Sequence, residues 1–171
     1  MKWCELTFDE IASHINLVYI FQPFFEPASM TVTRSELAKI AQRARLFAYA
    51  PYSKFRVGAA LLTTGGKVFT GCNVENSSYS LTICAERTAI FKAISEGHQR
   101  FKALAVASDD PGFTPPCGAC RQVLIDLAGN IDFIMVNKRG QLKTVTMKSL
   151  MPLAFSGPLQ EKKVSGYVCR T

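Results

Sequence analysis

Two short segments of this 171-residue chain combine residue types that can hold a metal and move protons. One is Cys84-Ala85-Glu86 and the other is Pro116-Cys117-Gly118-Ala119-Cys120. A cysteine at the start of a helix has its sulfur beside unpaired backbone N–H groups and the positive end of the helix dipole, which favours the thiolate. Three such thiolates, converging from two helix starts, can occupy three corners of a tetrahedron around Zn²⁺. The missing fourth ligand matters, because structural zinc sites are closed by the protein whereas catalytic ones leave a place for water. No fourth cysteine stands at structural-site spacing, and His98 belongs at the far end of the helix that Cys84 opens, as a surface residue. His14 has no partner pattern. Glu86 follows Cys84 by two residues, about 200° around a helix at 100° per residue. A carboxylate there is not a natural ligand but can reach water at the metal, the position of a general base. Singly, these features are bland: C-x-x-C is also a redox motif or half a structural zinc site, and an acidic residue in a first turn is often only a dipole partner. Together, each at the opening of a helix, they are far more specific.

The elements that must position them can be read from the pattern. Thr33 and Glu36 form a T-x-x-E capping box ahead of Leu37, Ile40, Ala41 and Ala44, so a helix is expected over 34–49, stopped by Pro51. An apolar strand over 57–63 turns at Thr64-Gly65-Gly66 and returns over 67–72 as a hairpin. Helices are expected over 84–96, ending at Gly97, and over 117–127, entered from Pro115-Pro116. Strands follow over 102–107, 131–136 and 142–147, the last two joined by Asn137-Lys138-Arg139-Gly140, with a short helix near 148–151. Helices between strands two and three, and between three and four, call for parallel, right-handed crossovers, while the two hairpins are antiparallel. The expected fold is an α/β/α sandwich around a mixed five-stranded sheet, strands four and five antiparallel.

Composition narrows the function classes. Hydrophobic residues make up 48% and charged residues 19%, which suits one packed domain and argues against disorder as the whole story. No stretch reaches the roughly 18 apolar residues of a membrane helix; the best, 15–25, contains Asn16, Gln22 and Pro23 and lacks a basic lead-in. A secretory signal and a membrane partner are therefore not expected. The net charge of +7 is carried by scattered residues, with no basic run longer than two, which reads as dispersed solvated charge and not as a nucleic-acid surface. Without a secretory signal, the six cysteines point to metal or reduced thiols and a cytoplasmic setting. Cys4, Cys72 and Cys169 are left as plain thiols.

The two metal-site motifs together match the signature of zinc nucleobase deaminases in its three-cysteine form. The chain closely resembles the cytidine deaminases, specifically the small class with three cysteine ligands that forms homotetramers. The resemblance spans 33–158 and rests on dense motifs: Ala50-Pro51-Tyr52-Ser53-Lys54-Phe55-Arg56-Val57-Gly58-Ala59-Ala60, Gly71-Cys72-Asn73-Val74-Glu75-Asn76, Cys84-Ala85-Glu86-Arg87 and Pro116-Cys117-Gly118-Ala119-Cys120-Arg121-Gln122. It implies one Zn²⁺ per chain on Cys84, Cys117 and Cys120, with Glu86 carrying protons from water to the cytosine ring and the departing ammonia. Zn²⁺ with three thiolates is net negative, and Arg87 matches a family arginine that hydrogen-bonds the ligand sulfurs and offsets that charge. Asn73 and Glu75, two apart on an extended segment and so on one side, match the pair that grips the ribose hydroxyls. Phe55 resembles the aromatic that packs on cytosine. Tyr79 and the backbone of Ala85 are further substrate contacts, and Phe155 resembles a phenylalanine donated to a neighbouring subunit's pocket.

What the resemblance implies is a free-nucleoside deaminase, converting cytidine and deoxycytidine to uridine and deoxyuridine in pyrimidine salvage. Three other readings meet opposition in the sequence. A deaminase of RNA or DNA is opposed by the short 137–140 connection, since polynucleotide editors place a helix there and a parallel strand after it, and by Glu75, which would repel a phosphate on the sugar's 3′ oxygen. An aminonucleoside-antibiotic deaminase is only weakly opposed, by the Asn73-Val74-Glu75-Asn76 context. A non-enzymatic zinc-structured module is opposed by Glu86 and the absent fourth ligand. The domain is expected over 30–158, after a dispensable aromatic extension over 1–29 and before a loose tail over 159–171.

Overall fold

A computed structural model describes residues 32–155 of the chain. The expectations for 1–29 and for the tail over 159–171 lie outside the described residues.

The first helix, α1 (Arg34–Ala44), begins at the expected capping box: the Thr33 side chain accepts from the Glu36 N–H, and the Glu36 carboxylate accepts from the Thr33 N–H at 2.8 Å. It does not run to residue 49. After Ala44 it tightens into a 3₁₀ turn (Arg45–Phe47), and Ala48 is already extended. Tertiary pairing overrides local propensity here. The Tyr49 N–H donates to the Asn73 carbonyl and the Tyr49 carbonyl accepts from the Glu75 N–H, which requires an extended chain. The end of α1 is also pinned on the sheet, because Gly58 lets it approach so closely that a Cβ there would lie 2.2 Å from the Arg45 nitrogen.

Five strands follow the expected order along the chain: β1 (Val57–Thr63), β2 (Val68–Cys72), β3 (Phe101–Ser108), β4 (Asp132–Val136) and β5 (Leu142–Thr146). Between them stand α2 (Ala85–Ser95) and α3 (Gly118–Leu127), and the short α4 (Met147–Leu150) closes the sequence. In the sheet the order is β2-β1-β3-β4-β5. The β3–β4 neighbours are parallel, and β1–β2, β1–β3 and β4–β5 are antiparallel. The helical crossover from β3 to β4 thus joins adjacent parallel strands as expected. That from β2 to β3 also joins strands that run the same way, as expected, with β1 lying between them. A helix between two strands shows that a crossover occurs but not how many strands it spans.

Period-two alternation sorts the core. On one face Ala60, Leu62, Ala103, Ala105, Ala107, Ile134 and Val136 pack with Leu37, Ala38 and Ala41 of α1. On the other, Ala59, Leu61, Leu104, Val106, Phe133 and Met135 pack with Ala85, Ala89, Ile90 and Ala93 of α2 and Leu124 of α3. The fold is therefore the expected α/β/α sandwich around a mixed sheet. Among the described residues no helix is long and apolar enough to cross a membrane.

Candidate active site

Two helix starts meet over one face of the sheet. Cys84 and Cys117 were expected as the first helical residues, but both are N-caps with extended backbone, φ −73° and −65°. At a cap the side chain turns back across the free N–H groups of the first turn, and the Cys117 sulfur accepts from the Cys120 N–H at 3.5 Å. The start of α2 is seated by a second close approach. A Cβ at Gly71 on β2 would lie 2.4 Å from the Ala85 carbonyl oxygen and 2.5 Å from the Ala89 nitrogen. Ala85 and Ala89 are wholly buried. Glycine at 71 thus sets how deeply the turn carrying Cys84, Glu86 and Arg87 sits on the sheet.

The sulfurs of Cys84, Cys117 and Cys120 lie within 4.8 Å of one another, with Cys84 and Cys117 3.9 Å apart. Zn–S bonds of about 2.3 Å in a tetrahedron require sulfurs ~3.8 Å apart, so the donor set fits Zn²⁺ with little adjustment. It is the one cluster of three potential ligands of this kind among the described residues. Cys120 is buried and Cys117 exposed, so the cluster is walled on one side and reachable from the other.

Its electrostatics are already those of a cation site. A hydrogen bond from the Cys120 thiol, with help from the Arg87 guanidinium, pulls the Cys84 thiol down to about 5. Cys120 is pushed up, first because its proton is held by the Cys84 thiolate and then by burial. A metal displaces such protons when it binds. Arg87 Nη2 donates to the Cys84 sulfur at 3.5 Å and to the Thr82 carbonyl at 3.1 Å, the sulfur contact expected of it. Glu86 is only 5% exposed. Burial, reinforced by the charge on Cys84, raises its carboxyl to about 7, where a side chain can both accept and give a proton at neutral pH.

The remaining expected residues fall into a second group beside the first. The N–H and carbonyl of Val74 pair with the carbonyl and N–H of Ile83, tying the 73–75 segment to the residue before Cys84. Asn73 and Glu75 do share a side, and both side chains face the 52–57 loop. Asn73 Oδ1 accepts from the Val57 N–H and Nδ2 donates to the Phe55 carbonyl, each at 2.8 Å. Glu75 Oε2 accepts from the Tyr52 and Ser53 N–H groups, and Oε1 accepts from the Ser53 hydroxyl. These contacts, the hydroxyl first, hold the Glu75 carboxyl below the usual carboxylate range against the opposing effect of burial. Phe55 is partly exposed at the rim. Tyr79, in a 3₁₀ turn (Tyr79–Leu81), is exposed. Phe155 is 76% exposed, and its backbone carbonyl accepts from Gln122. Two residues that organise the site, Gly71 and Ser53, were not singled out from the sequence. Both stand inside conspicuous motifs, but neither carries chemistry by type.

Comparison with known proteins agrees with this geometry. Residues 31–136 match the family model described as the cytidine and deoxycytidylate deaminase zinc-binding region. The chain is 52% identical over 117 residues to a cytidine deaminase of Sporosarcina psychrophila, covering 68% of this chain and 86% of the relative. It is 49% identical over 124 residues to one from Halalkalibacterium halodurans, covering 72% and 94%. Among solved structures it is similar to a cytidine deaminase from Burkholderia pseudomallei, with a TM-score of 0.70 and 48% identity over 72% of this chain and 99% of that one. A Mycobacterium tuberculosis cytidine deaminase gives 0.62 at 40% identity, covering 71% and 95%.

Proposed function

This chain belongs to the cytidine and deoxycytidylate deaminase family, and we propose that it acts on free cytidine and deoxycytidine, with Glu86 as its acid–base residue. The reaction is hydrolytic deamination with one Zn²⁺ per chain: cytidine and water give uridine and ammonia. The observation that carries the assignment of roles is the three-sulfur cluster, open at Cys117, beside a nearly buried Glu86 raised to about 7.

Cys84, Cys117 and Cys120 would hold the metal. When bound, Zn²⁺ supplies Lewis acidity and makes water a nucleophile near neutral pH. Glu86 would take one proton from the attacking water and give it to ring N3, then take that water's second proton once its oxygen is bonded to C4 and give it to the amine, which leaves as ammonia as the C4–O bond becomes a carbonyl. Arg87, donating to the Cys84 sulfur, lessens the negative charge that three thiolates place on the centre. Asn73 and Glu75 bind the sugar hydroxyls, Phe55 packs on the base, and Tyr79 and the Ala85 backbone complete the contacts. The Ala85 N–H lies in the first turn of α2, where it has no partner within the helix.

Two features favour a free nucleoside over a polynucleotide. β5 is antiparallel to β4 across a tight 137–141 turn, and the Glu75 carboxylate, held in its charged form, would face a 3′-linked phosphate. We further propose a homotetramer in which Phe155 of one protomer enters a neighbour's pocket. The exposed apolar side chains of Leu46, Phe47, Tyr49, Leu153 and Phe155 support this, because burial against a neighbouring protomer would remove them from water. Thiol ligands fit a reducing cytoplasm and a salvage reaction there.

The test is purified protein given cytidine, deoxycytidine and a cytosine-containing single-stranded oligonucleotide, followed by loss of cytosine absorbance, with a metal count and a sedimentation run. The expected result is one zinc per chain, turnover of both nucleosides, an inert oligonucleotide and a tetramer. Efficient deamination of the oligonucleotide or an active monomer overturns the corresponding part.

A further inference from the structure

Lys54 is the one non-glycine among the described residues with a positive φ, 58°. A lysine in the left-handed region is strained by roughly 1 kcal/mol or more, so the surrounding contacts must hold it there. The Lys54 N–H donates to the Ala50 carbonyl at 3.2 Å, and the Phe55 N–H donates to Ser53 Oγ at 3.0 Å. The same Ser53 hydroxyl donates its proton to Glu75 Oε1. One hydroxyl therefore links the carboxylate of Glu75 to the backbone of Phe55 across a kinked turn.

A hydrogen-bond count on Glu75 shows what this arrangement leaves free. A carboxylate has about four lone-pair positions, two on each oxygen. Oε2 uses both, on the N–H groups of Tyr52 and Ser53. Oε1 uses one, on the Ser53 hydroxyl. The unused lone pair is on Oε1, the oxygen whose orientation Ser53 fixes. It can accept from a donor and from nothing else.

We propose that Ser53 is a positioning residue: through the Lys54 turn it aims the remaining lone pair of Glu75 Oε1 at the sugar 3′-hydroxyl and sets Phe55 against the base in the same motion. This rests on the reading of Glu75 as a sugar contact. Ser53 makes the site demand a hydroxyl donor at that position, so its removal should relax sugar discrimination more than it slows the chemistry at the metal.

The experiment measures kcat and KM for deoxycytidine and for 2′,3′-dideoxycytidine, which lacks the 3′-hydroxyl. The parent should prefer deoxycytidine by at least about a hundredfold in kcat/KM, because a site built to bond a hydroxyl rejects the analogue without it. In Ser53→Ala that ratio should fall about tenfold, mainly through a higher KM for deoxycytidine, with kcat within about threefold. Ser53 lies on an exposed loop away from the sulfurs, so zinc content should match the parent and the protein should stay folded, with a melting temperature lowered by a few degrees for the two lost hydrogen bonds, and Ser53→Thr, which keeps the hydroxyl, should restore the ratio. A Ser53→Ala protein with the parent's ratio, or a Ser53→Thr protein no better than the alanine variant, overturns the proposal while leaving Glu75 on the sugar. A parent with a ratio near one overturns both, since Glu75 then does not bind that hydroxyl.

Discussion

Replacing Gly71 with alanine adds a single methyl group at a strand position of ordinary φ, a change that by itself would stabilise a strand by about 0.5–1 kcal/mol through lower unfolded-state entropy. The opposite is expected here. The new Cβ would sit 2.4 Å from the Ala85 carbonyl oxygen, 2.5 Å from the Ala89 nitrogen and 3.0 Å from the Thr88 Cβ, where ordinary contact begins at 3.4 Å. Two of these atoms are backbone, so no rotamer change relieves them, and the start of α2 must retreat by about 1 Å. Overpacking of this kind costs roughly 1–3 kcal/mol, enough to exceed the entropic gain. The functional consequence is larger, because Ala85 lies between Cys84 and Glu86. Metal ligands tolerate about 0.2 Å, and a 1 Å misplacement of a reacting group can cost about a hundredfold in rate. Gly71→Ala should therefore bind zinc substoichiometrically and lose about two orders of magnitude in kcat. Gly97→Ala is the control: its φ of +84° makes alanine strained, yet nothing lies within 4 Å, so it should lower the melting temperature and spare zinc and kcat. Metal analysis, steady-state kinetics and thermal melts on the three proteins decide the matter. A Gly71→Ala enzyme with full zinc and kcat within about threefold of the parent would refute the reasoning.

Other outcomes follow from the same geometry. Cys117→Ala should lose the metal and also the sulfur that caps α3, lowering stability by more than the roughly 0.5–2 kcal/mol of a lost cap; retained zinc and activity would remove Cys117 from the ligand set. Glu86→Gln should keep zinc and fold yet lose about 10⁴-fold in kcat, the upper range for a general acid–base group, and near-normal turnover would mean that another base serves. Because burial raises Glu86 from 4.5 to about 7, its stabilising contribution to the metal-stripped protein is complete below about pH 4.5 and is lost as pH rises through 7, a span of about 2–4 kcal/mol. In urea unfolding Glu86→Gln should thus gain on the parent steadily from pH 5 to 8, and a pH-independent difference counts against a buried carboxyl. Phe155→Ala should raise KM about tenfold with zinc intact, and an unchanged KM would exclude that ring from a neighbour's pocket.

What could be read from the sequence and what could not divide along a physical line. Short-range signals came through. The Thr33–Glu36 capping box, the Cys84 and Cys117 helix starts and the apolar strands over 57–63 and 131–136 are local in the chain, and each stands within a residue of its expected place. The three sulfurs were legible because metal chemistry restricts the residue types, so spacing alone carried weight. Long-range approach was not legible. That 45–49 leaves the helix is decided by pairing with Asn73 and Glu75, more than twenty residues on. That β1 separates β2 from β3 depends on which edge of the first hairpin the third strand joins. Gly58 and Gly71 are common strand residues until the atoms facing them are known, and Ser53 is an ordinary loop serine until Glu75 arrives from another segment.

The site is thereby built in two tiers with different tolerances. The metal ligands and Glu86 stand on helix starts seated against glycine and alanine, with no flexible side chain in between to absorb a displacement. The proposed sugar contacts, Asn73 and Glu75, are buried and hydrogen-bonded to the exposed 52–56 loop, which carries Phe55, the proposed contact to the base. The two meet at one backbone junction, the Val74–Ile83 pair. A perturbation of the first tier moves ligands that must stay within a few tenths of an ångström, so it should appear in zinc content and kcat together. A perturbation of the second tilts a lone pair or a ring without touching the sulfurs, so it should appear in KM and in discrimination between sugars. Polar loops can change by single residues without disturbing a packed core, whereas a buried helix start cannot. Substrate preference in this fold can therefore shift through residues such as Ser53 while the metal centre stays as it is.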